Sequence, residues 1–169
     1  MFTSISHIFK IKKKIIRVKC VLPEHVSQEY LAKIYKSKYI LYKKKDLKKQ
    51  IAYIKRIKFS QKKIFFGFFF KNKLIGTSGF QKINTNIPTV GIIIFDKIFL
   101  GKKLSHIFTA NSCIFLNKIL KKKEFSCGIN NKNSASIKLF KKLGFKSYYS
   151  KKNITFYKSN IDKIKKGLF

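Results

Sequence analysis

The feature that most constrains the fold is an apolar run at residues 64–70, which reads Ile-Phe-Phe-Gly-Phe-Phe-Phe. Apolar residues in unbroken succession over this length suit a strand that is buried on both faces. The run ends at Lys71, Asn72 and Lys73, and a second strand-like segment follows at residues 74–81. Two such segments joined by a short polar turn predict a β-hairpin. The sequence therefore predicts a sheet in which this hairpin is buried.

The rest of the chain alternates strand-like and helical segments. β-branched and apolar segments predict strands at residues 15–22, 90–95 and 124–129, and a strand or hairpin over residues 145–157. Helical spacing of apolar residues predicts helices that begin after Ser27 and Asp46, a long helix over residues 104–119 and a short one over residues 133–143. Gly144 suits the left-handed position after a helix. This order predicts an α/β (α+β) fold with a mixed, twisted sheet flanked by helices.

Length and composition predict a single domain. The chain has 169 residues, of which 45% are hydrophobic, so it has enough apolar material for one core. We expect the domain to span residues 15–169, preceded by a basic and flexible lead-in at residues 1–14. Charged or polar residues interrupt every stretch long enough to span a membrane, so we expect no membrane helix. Residues 1–14 lack a long apolar centre and make a poor secretory signal, so we expect a cytoplasmic protein.

The charge of the chain is extreme, but its meaning is ambiguous. There are 40 Lys and Arg residues against 6 Asp and Glu residues, which gives a formal charge of +34. Only Arg17 and Arg56 are arginine. Residues with AT-rich codons are favoured throughout, so the base composition of the gene explains much of the lysine. A positive field attracts polyanions, whereas bidentate phosphate contacts favour arginine. Nucleic-acid or ribosome binding therefore stays open as an alternative function.

Cysteine spacing points to neither a metal site nor a disulfide framework. The three cysteines are Cys20, Cys113 and Cys127, an odd number with no Cys-X-X-Cys pair. We expect them to be reduced thiols, and we predict no metal ligands.

Residues 91–105 form the first candidate binding motif, in which a strand is followed by a loop and by the start of the long helix. The first N–H groups of a helix and the positive end of its dipole suit a phosphate. Gly101 permits a close backbone approach, and Lys102 and Lys103 add positive charge. An ordinary loop can carry the same residues, so this motif alone does not define a site.

Residues 130–145 form the second candidate motif, in which a strand ends in an Asn-rich turn and a short helix follows. Asn133 is suited to cap this helix and also to offer its amide to a ligand beside the strand. The alternative is a capped amphipathic helix that only packs Ile137, Phe140 and Leu143 against the core.

Taken together, these segments resemble the Gcn5-related N-acetyltransferase (GNAT) superfamily. Residues 74–79 and 91–94 look like its third and fourth strands, and residues 96–105 look like its loop for the acetyl-CoA pyrophosphate. Residues 133–145, which end in Leu-Gly-Phe, are similar to its second CoA motif. The details are similar to the branch that contains ribosomal-protein N-terminal and amino-sugar acetyltransferases.

The resemblance implies the acyl-CoA N-acyltransferase (GNAT) fold, with a splay between the strands at residues 91–94 and 124–129. It implies acetyl-CoA as co-substrate and direct attack by a primary amine on the thioester. The acceptor is a small molecule, an amino sugar or a protein N-terminus, and the positive field favours an anionic one. We expect a monomer or a homodimer. The cofactor-binding residues implied are Ile92, Ile93, Ile94, Leu100, Gly101, Lys102, Lys103, Leu104, Ser105 and Asn133.

The sequence also departs from the family pattern. Leu100, Lys103 and Ser105 stand where the pyrophosphate loop usually has Arg or Gln, then Gly, then Gly or Ala. Phe140 stands where the family often has a tyrosine that protonates the leaving thiolate. Glu29, on the first helix, is the candidate general base. These departures leave open a second alternative, a non-catalytic protein that keeps the fold.

Overall fold

The computed structural model describes residues 4–35, 46–100 and 104–168 and contains one eight-stranded sheet in those residues. The strands are β1 (Ser6–Ile11), β2 (Lys14–Cys20), β3 (Lys63–Phe70), β4 (Lys73–Gln81), β5 (Thr89–Ile94), β6 (Glu124–Asn130), β7 (Lys146–Lys151) and β8 (Ile154–Asn160). The helices are α1 (Gln28–Tyr35), α2 (Leu47–Lys58), α3 (Ser105–Leu120), α4 (Ser134–Lys142) and α5 (Ile161–Lys166), with a short 3-10 helix at Pro23–His25.

The sheet is mixed and has a single parallel contact among the described strands. Its order is β1-β2-β3-β4-β5-β6-β8-β7. Neighbouring strands are antiparallel except β5 and β6, which run parallel and are connected through α3. A parallel connection needs a long crossover, and α3 provides it. The predicted mixed sheet flanked by helices is confirmed.

Two hydrophobic clusters cover the two faces of the sheet. The larger cluster joins β-strand residues to α3, α4 and α5 and contains Phe66, Phe108 and Phe115. The smaller cluster contains Tyr30 of α1 and Ile54 of α2, with the neighbouring residue Phe65 packed against it. Because adjacent residues of a strand point to opposite faces, Phe65 and Phe66 show that these clusters lie on opposite sides of β3. Among the described helices, none has both the length and the apolar character that a membrane span requires.

The predicted hairpin at residues 64–81 is confirmed as β3 and β4. Lys71 and Asn72 form its turn, with φ angles of 47° and 61°. Two central residues with positive φ match the right-handed twist of the flanking strands. The predicted Gly144 position is also confirmed, because this residue follows α4 with φ of 74°. A Cβ at Gly144 would lie 2.9 Å from Cβ of Lys163. Both the positive φ and this close contact therefore disfavour a larger residue at position 144.

The N-terminal segment differs from the expectation. Residues 1–14 were expected to form a flexible lead-in, but residues 6–11 pair with β2 as strand β1. His7 and Phe9 are half-buried and Ile11 is buried, whereas Ile8 is exposed. The alternation was obscured in the sequence because a histidine faces inward and an isoleucine faces outward. Helix α5 was also not predicted, since its six residues are too few for a clear helical pattern.

Candidate active site

The parallel strands β5 and β6 are joined at one end only. Their ladder consists of the pair Thr89–Ser126 among the described residues. The Ser126 N–H donates to the Pro88 carbonyl oxygen at 2.9 Å, and the hydroxyls of Thr89 and Ser126 are 3.0 Å apart. The strands continue to Ile94 and Asn130 without further pairing. A gap therefore opens between them toward their C-terminal ends.

Backbone groups of β5 line this gap. In a ladder, successive residues direct their N–H and C=O groups alternately to the two neighbouring strands. The Phe95 N–H donates to the Ile75 oxygen of β4 at 3.1 Å, so odd-numbered residues of β5 face β4. Ile92 and Ile94 consequently direct their backbone groups toward the gap, and Ile93 directs its groups toward β4. Of the three isoleucines in the predicted site, two have the orientation that a ligand in the gap needs.

Helix α3 begins near the open side of the gap. The ring of Phe108, in the first turn of α3, lies 5.0 Å from that of Phe68 near the end of β3 and 5.7 Å from that of Phe99 after β5, so this turn lies on the side of the sheet where β3 and β5 end. Leu104 is the N-cap residue and supplies no side-chain hydrogen bond to the first turn. Ser105 is the first helical residue and is half-buried. The first N–H groups of a helix lack intrahelical acceptors and carry partial positive charge, so this end of α3 suits an anion.

Asp96 holds the residues that directly follow β5, up to Leu100. This carboxylate is 8% exposed and accepts the Ile98 N–H at 2.9 Å. The Leu100 N–H donates to the Asp96 backbone oxygen at 2.9 Å, and the Leu100 side chain is exposed. Three of the predicted cofactor-binding residues, Gly101, Lys102 and Lys103, lie outside the described residues.

Helix α4 borders the same region from the other side. Asn133 caps it, since Asn133 Oδ1 accepts the Ser136 N–H at 3.1 Å. The Asn133 side-chain NH₂ makes no hydrogen bond within the described residues and is available to a ligand. At the far end of α4, Lys142 Nζ lies 2.9 Å from His106 Nε2, in the first turn of α3. Lys142 was not selected from the sequence, because its proximity to α3 depends on helix packing.

A groove of about 360 Å³ lies beside the paired end of β5 and β6, on the face of the sheet opposite to α3. Thr89, Ser126, Tyr148 and Tyr149 are among its lining residues. Gly91 lies on β5 close by, and a Cβ placed there would have no atom within 4 Å. The groove thus offers aromatic rings, hydroxyl groups and open space near the gap. Neither tyrosine was selected from the sequence, since β7 reads as an ordinary exposed strand.

Glu29, the predicted general base, lies on the exposed side of α1. Its carboxylate is 2.6 Å from Lys33 Nζ and 3.8 Å from Lys73 Nζ. The hydrogen bond from Lys33 and the charges of both lysines lower the pKa of Glu29. A general base near neutral pH needs the opposite shift. The lowered pKa therefore argues against Glu29 as the general base.

The buried cysteines and Phe140 are unsuited to a chemical role in the site. Burial raises the pKa of Cys127 on β6 and of Cys113 on α3, so both remain protonated thiols near neutral pH. Phe140 is 4% exposed and packs its ring edge-on against Phe145, with centroids 5.0 Å apart. The position that could have supplied an acid is instead part of the core.

Solved structures of several acetyltransferases share this fold. Mycobacterium smegmatis RimJ in complex with CoA-disulfide gives a TM-score of 0.77 at 8% identity, covering 94% of this chain and 88% of that one. Campylobacter jejuni PseH in complex with acetyl coenzyme A gives 0.65 at 18% identity, covering 85% and 98%. A chimera of the spermidine N-acetyltransferase SpeG from Vibrio cholerae with hSSAT gives 0.72 at 12% identity, covering 88% and 97%.

No curated protein sequence matches the chain significantly. The sequence does match the family model described as acetyltransferase (GNAT) domain, over residues 23–146. This match spans most of the 169 residues and includes β5, the start of α3 and α4. The protein therefore belongs to the GNAT acetyltransferase domain family.

Proposed function

We propose that the protein transfers an acetyl group from acetyl-CoA to a primary amine by direct attack. The observation that carries this proposal is the gap between β5 and β6, with the start of α3, where Leu104 provides no side-chain cap, toward its open side. A gap lined by strand backbone and closed by a helix N-terminus can hold an extended arm that ends in a diphosphate. Because the chain belongs to the GNAT acetyltransferase family, acetyl-CoA is the ligand that we propose for this gap.

Residues on three elements would hold acetyl-CoA. The diphosphate would accept from the first turn of α3 at Ser105, with Lys142 adding positive charge. The pantetheine arm would bond to backbone groups of Ile92 and Ile94, and the free amide of Asn133 would reach it from the β6 side. When bound, acetyl-CoA supplies an acetyl group activated as a thioester. Gly101, Lys102 and Lys103, which lie outside the described residues, are proposed to add further phosphate contacts.

The side chains favour direct transfer over an acyl-enzyme route. A thiol nucleophile would have to be the thiolate, and burial keeps Cys113 and Cys127 protonated. Backbone N–H groups facing the gap can polarise the thioester carbonyl and stabilise the negative charge that develops on its oxygen. The acceptor amine must arrive neutral or lose its proton to solvent, because Glu29 is held as a carboxylate of lowered pKa.

The groove beside Thr89 and Ser126 is the proposed acceptor site. Its aromatic rings suit a flat or sugar-like group, and its hydroxyls suit polar substituents. Lys82 and Lys158 also line it, and no carboxylate does among the described residues. This lining favours a small acceptor that carries negative charge in addition to its amine, in agreement with the overall charge of the chain.

Two measurements test the proposal. The first is thermal stability with acetyl-CoA and with acetyl-pantetheine, which lacks the diphosphate. Acetyl-CoA at about 100 times its Kd should add about 2.7 kcal/mol to the free energy of unfolding. Acetyl-pantetheine at the same concentration should add much less. The second is release of the CoA thiol on addition of amines, anionic amino sugars included. Absence of both stabilisation by acetyl-CoA and amine-dependent thiol release would refute the proposed function.

A further inference from the structure

A second concave site lies on the N-terminal half of the sheet, away from the gap. It has a volume of about 550 Å³. We call it the basic basin and define it by Lys13, Arg17, Lys19, His25, Phe69 and Lys71. It lies on β2, β3 and the turns beside them, whereas the gap lies between β5 and β6. Three strand spacings separate the two places, which is about 14 Å along the sheet.

The register of β2 and β3 builds this basin. Arg17 is directly opposite Phe69 in the ladder, so their side chains share one face of the sheet. Lys19 Nζ lies 4.7 Å from the centroid of the Phe69 ring. His25 meets the same ring edge-on, with centroids 4.7 Å apart. The buried Phe69 ring therefore forms a floor around which the positive groups are arranged.

The charges of the basin are unbalanced. Four cationic side chains line it, from Lys13, Arg17, Lys19 and Lys71, and none of the carboxylates in the described residues does. Like charges gathered around one concavity repel one another, and a multivalent anion removes that repulsion. The few salt bridges of the described residues lie elsewhere, at Glu29 and Asp46.

Arg17 makes the basin unlike the rest of the lysine-rich surface. Lysine is the default cation of this chain, since Arg17 and Arg56 are its two arginines among 40 basic residues. Arginine differs from lysine in its planar fork of donors, which matches two oxygens of a phosphate at once. One of the two positions where the chain departs from lysine thus lies inside the basin.

We propose that the basic basin is a binding site for a small polyphosphate, a ligand with two or more linked phosphate groups. Arg17 would donate hydrogen bonds to two phosphate oxygens at once. Lys13, Lys19 and Lys71 would neutralise the remaining charge. His25 adds a neutral donor: the Leu22 N–H donates to His25 Nδ1 at 2.9 Å, so the neutral ring carries its proton on Nε2. Burial, then the charge of Lys19, lowers the pKa of His25 against a smaller opposing effect of the nearby Glu24, and the net shift favours this neutral form.

The test is calorimetric titration of the full chain with inorganic tripolyphosphate at physiological ionic strength, where long-range attraction is screened. Arg17→Gln should weaken binding by about tenfold or more, equivalent to one lost bidentate contact. Arg56→Gln removes the same charge from an exposed position on α2 and should change affinity by less than about twofold. Arg17→Lys should give an intermediate loss. Lys19→Gln provides a second variant inside the basin.

Three results would overturn the proposal: no binding of tripolyphosphate, equal losses in Arg17→Gln and Arg56→Gln, or orthophosphate binding as tightly as tripolyphosphate. A comparison of tripolyphosphate with ATP separates two sources of the same chemistry, because tighter binding of ATP would show that the base also contacts the basin. The site does not depend on acetyl transfer. Arg17→Gln should leave stabilisation by acetyl-CoA unchanged, so failure of one proposal is distinguishable from failure of the other.

Discussion

Helices α3 and α4 occupy equivalent places in the chain, since each follows one of the two parallel strands, but they begin differently. Asn133 caps α4 with a side-chain hydrogen bond to Ser136 N–H. Leu104 gives α3 no such bond. Helices α1, α2 and α5 are capped by Ser27, Asp46 and Asn160, respectively. Four of the five described helices thus have a side-chain cap, whereas Leu104 provides none for α3, whose start lies toward the gap.

The largest effect is expected from placing a carboxylate at the start of α3. Ser105→Asp should interact favourably with the helix dipole and keep or slightly raise stability. It should also occupy the anion site and repel a diphosphate, which should weaken acetyl-CoA binding by at least about tenfold. Calorimetric titration measures the affinity, and thermal unfolding measures the stability.

Gln28→Asp is the matched control, because it adds the same charge at the first residue of α1. It should leave acetyl-CoA affinity within about twofold of the unmodified protein, since an exposed and distant charge is screened. If Ser105→Asp bound acetyl-CoA as tightly as the control, the start of α3 would not be the diphosphate site.

A smaller effect is expected at the caps that consist of asparagine. Asn133→Ala and Asn160→Ala each remove an Oδ1 acceptor from a helix start, at 3.1 Å and 2.9 Å, respectively. Each should lower the free energy of unfolding by about 1 kcal/mol. Only Asn133→Ala should also weaken acetyl-CoA binding, by about threefold to tenfold for one lost hydrogen bond. Equal affinities in the two folded variants would remove Asn133 from the site.

The smallest effect is expected at the end of α4. Lys142 Nζ is 2.9 Å from His106 Nε2, whereas Lys141 is exposed and makes no hydrogen bond to α3 within the described residues. Lys142→Gln should weaken acetyl-CoA binding by about twofold to fivefold, because one partly screened charge near a phosphate is lost. Lys141→Gln removes the same charge and should have no measurable effect. Equal losses in both variants would show that the general positive field, and not the α3–α4 contact, attracts the ligand.

Local interactions made much of this structure predictable. The caps at Ser27, Asp46 and Asn133 and the left-handed Gly144 depend on residues a few positions away, and sequence patterns record such contacts. The β3–β4 hairpin is similarly local. Strand β1 was missed because its inward residues include His7, whose Nε2 lies 3.0 Å from Asn111 Oδ1 on α3. That contact joins distant parts of the chain and leaves no periodic pattern.

The candidate site was predictable in outline and less so in detail. Strand β5, the loop after it and the starts of α3 and α4 were placed from motifs. The register decides that Ile92 and Ile94 face the gap and that Ile93 does not, and no motif encodes this. The pKa of Glu29 is lowered mainly by Lys33, one helical turn away in α1, and the further contribution of Lys73 depends on how α1 docks beside β4. The basic basin has the same non-local origin.

The single pair Thr89–Ser126 also has a mechanical consequence. Strands β1–β5 form one antiparallel block and strands β6–β8 form another, and backbone pairing between the blocks is confined to that pair in the described residues. Cooperative unfolding units in proteins follow such boundaries. Amide hydrogens along the facing edges should exchange with solvent faster than those inside either block. A ligand that fills the gap would bridge the two blocks, so its binding should slow that exchange and make the sheet unfold as a single unit.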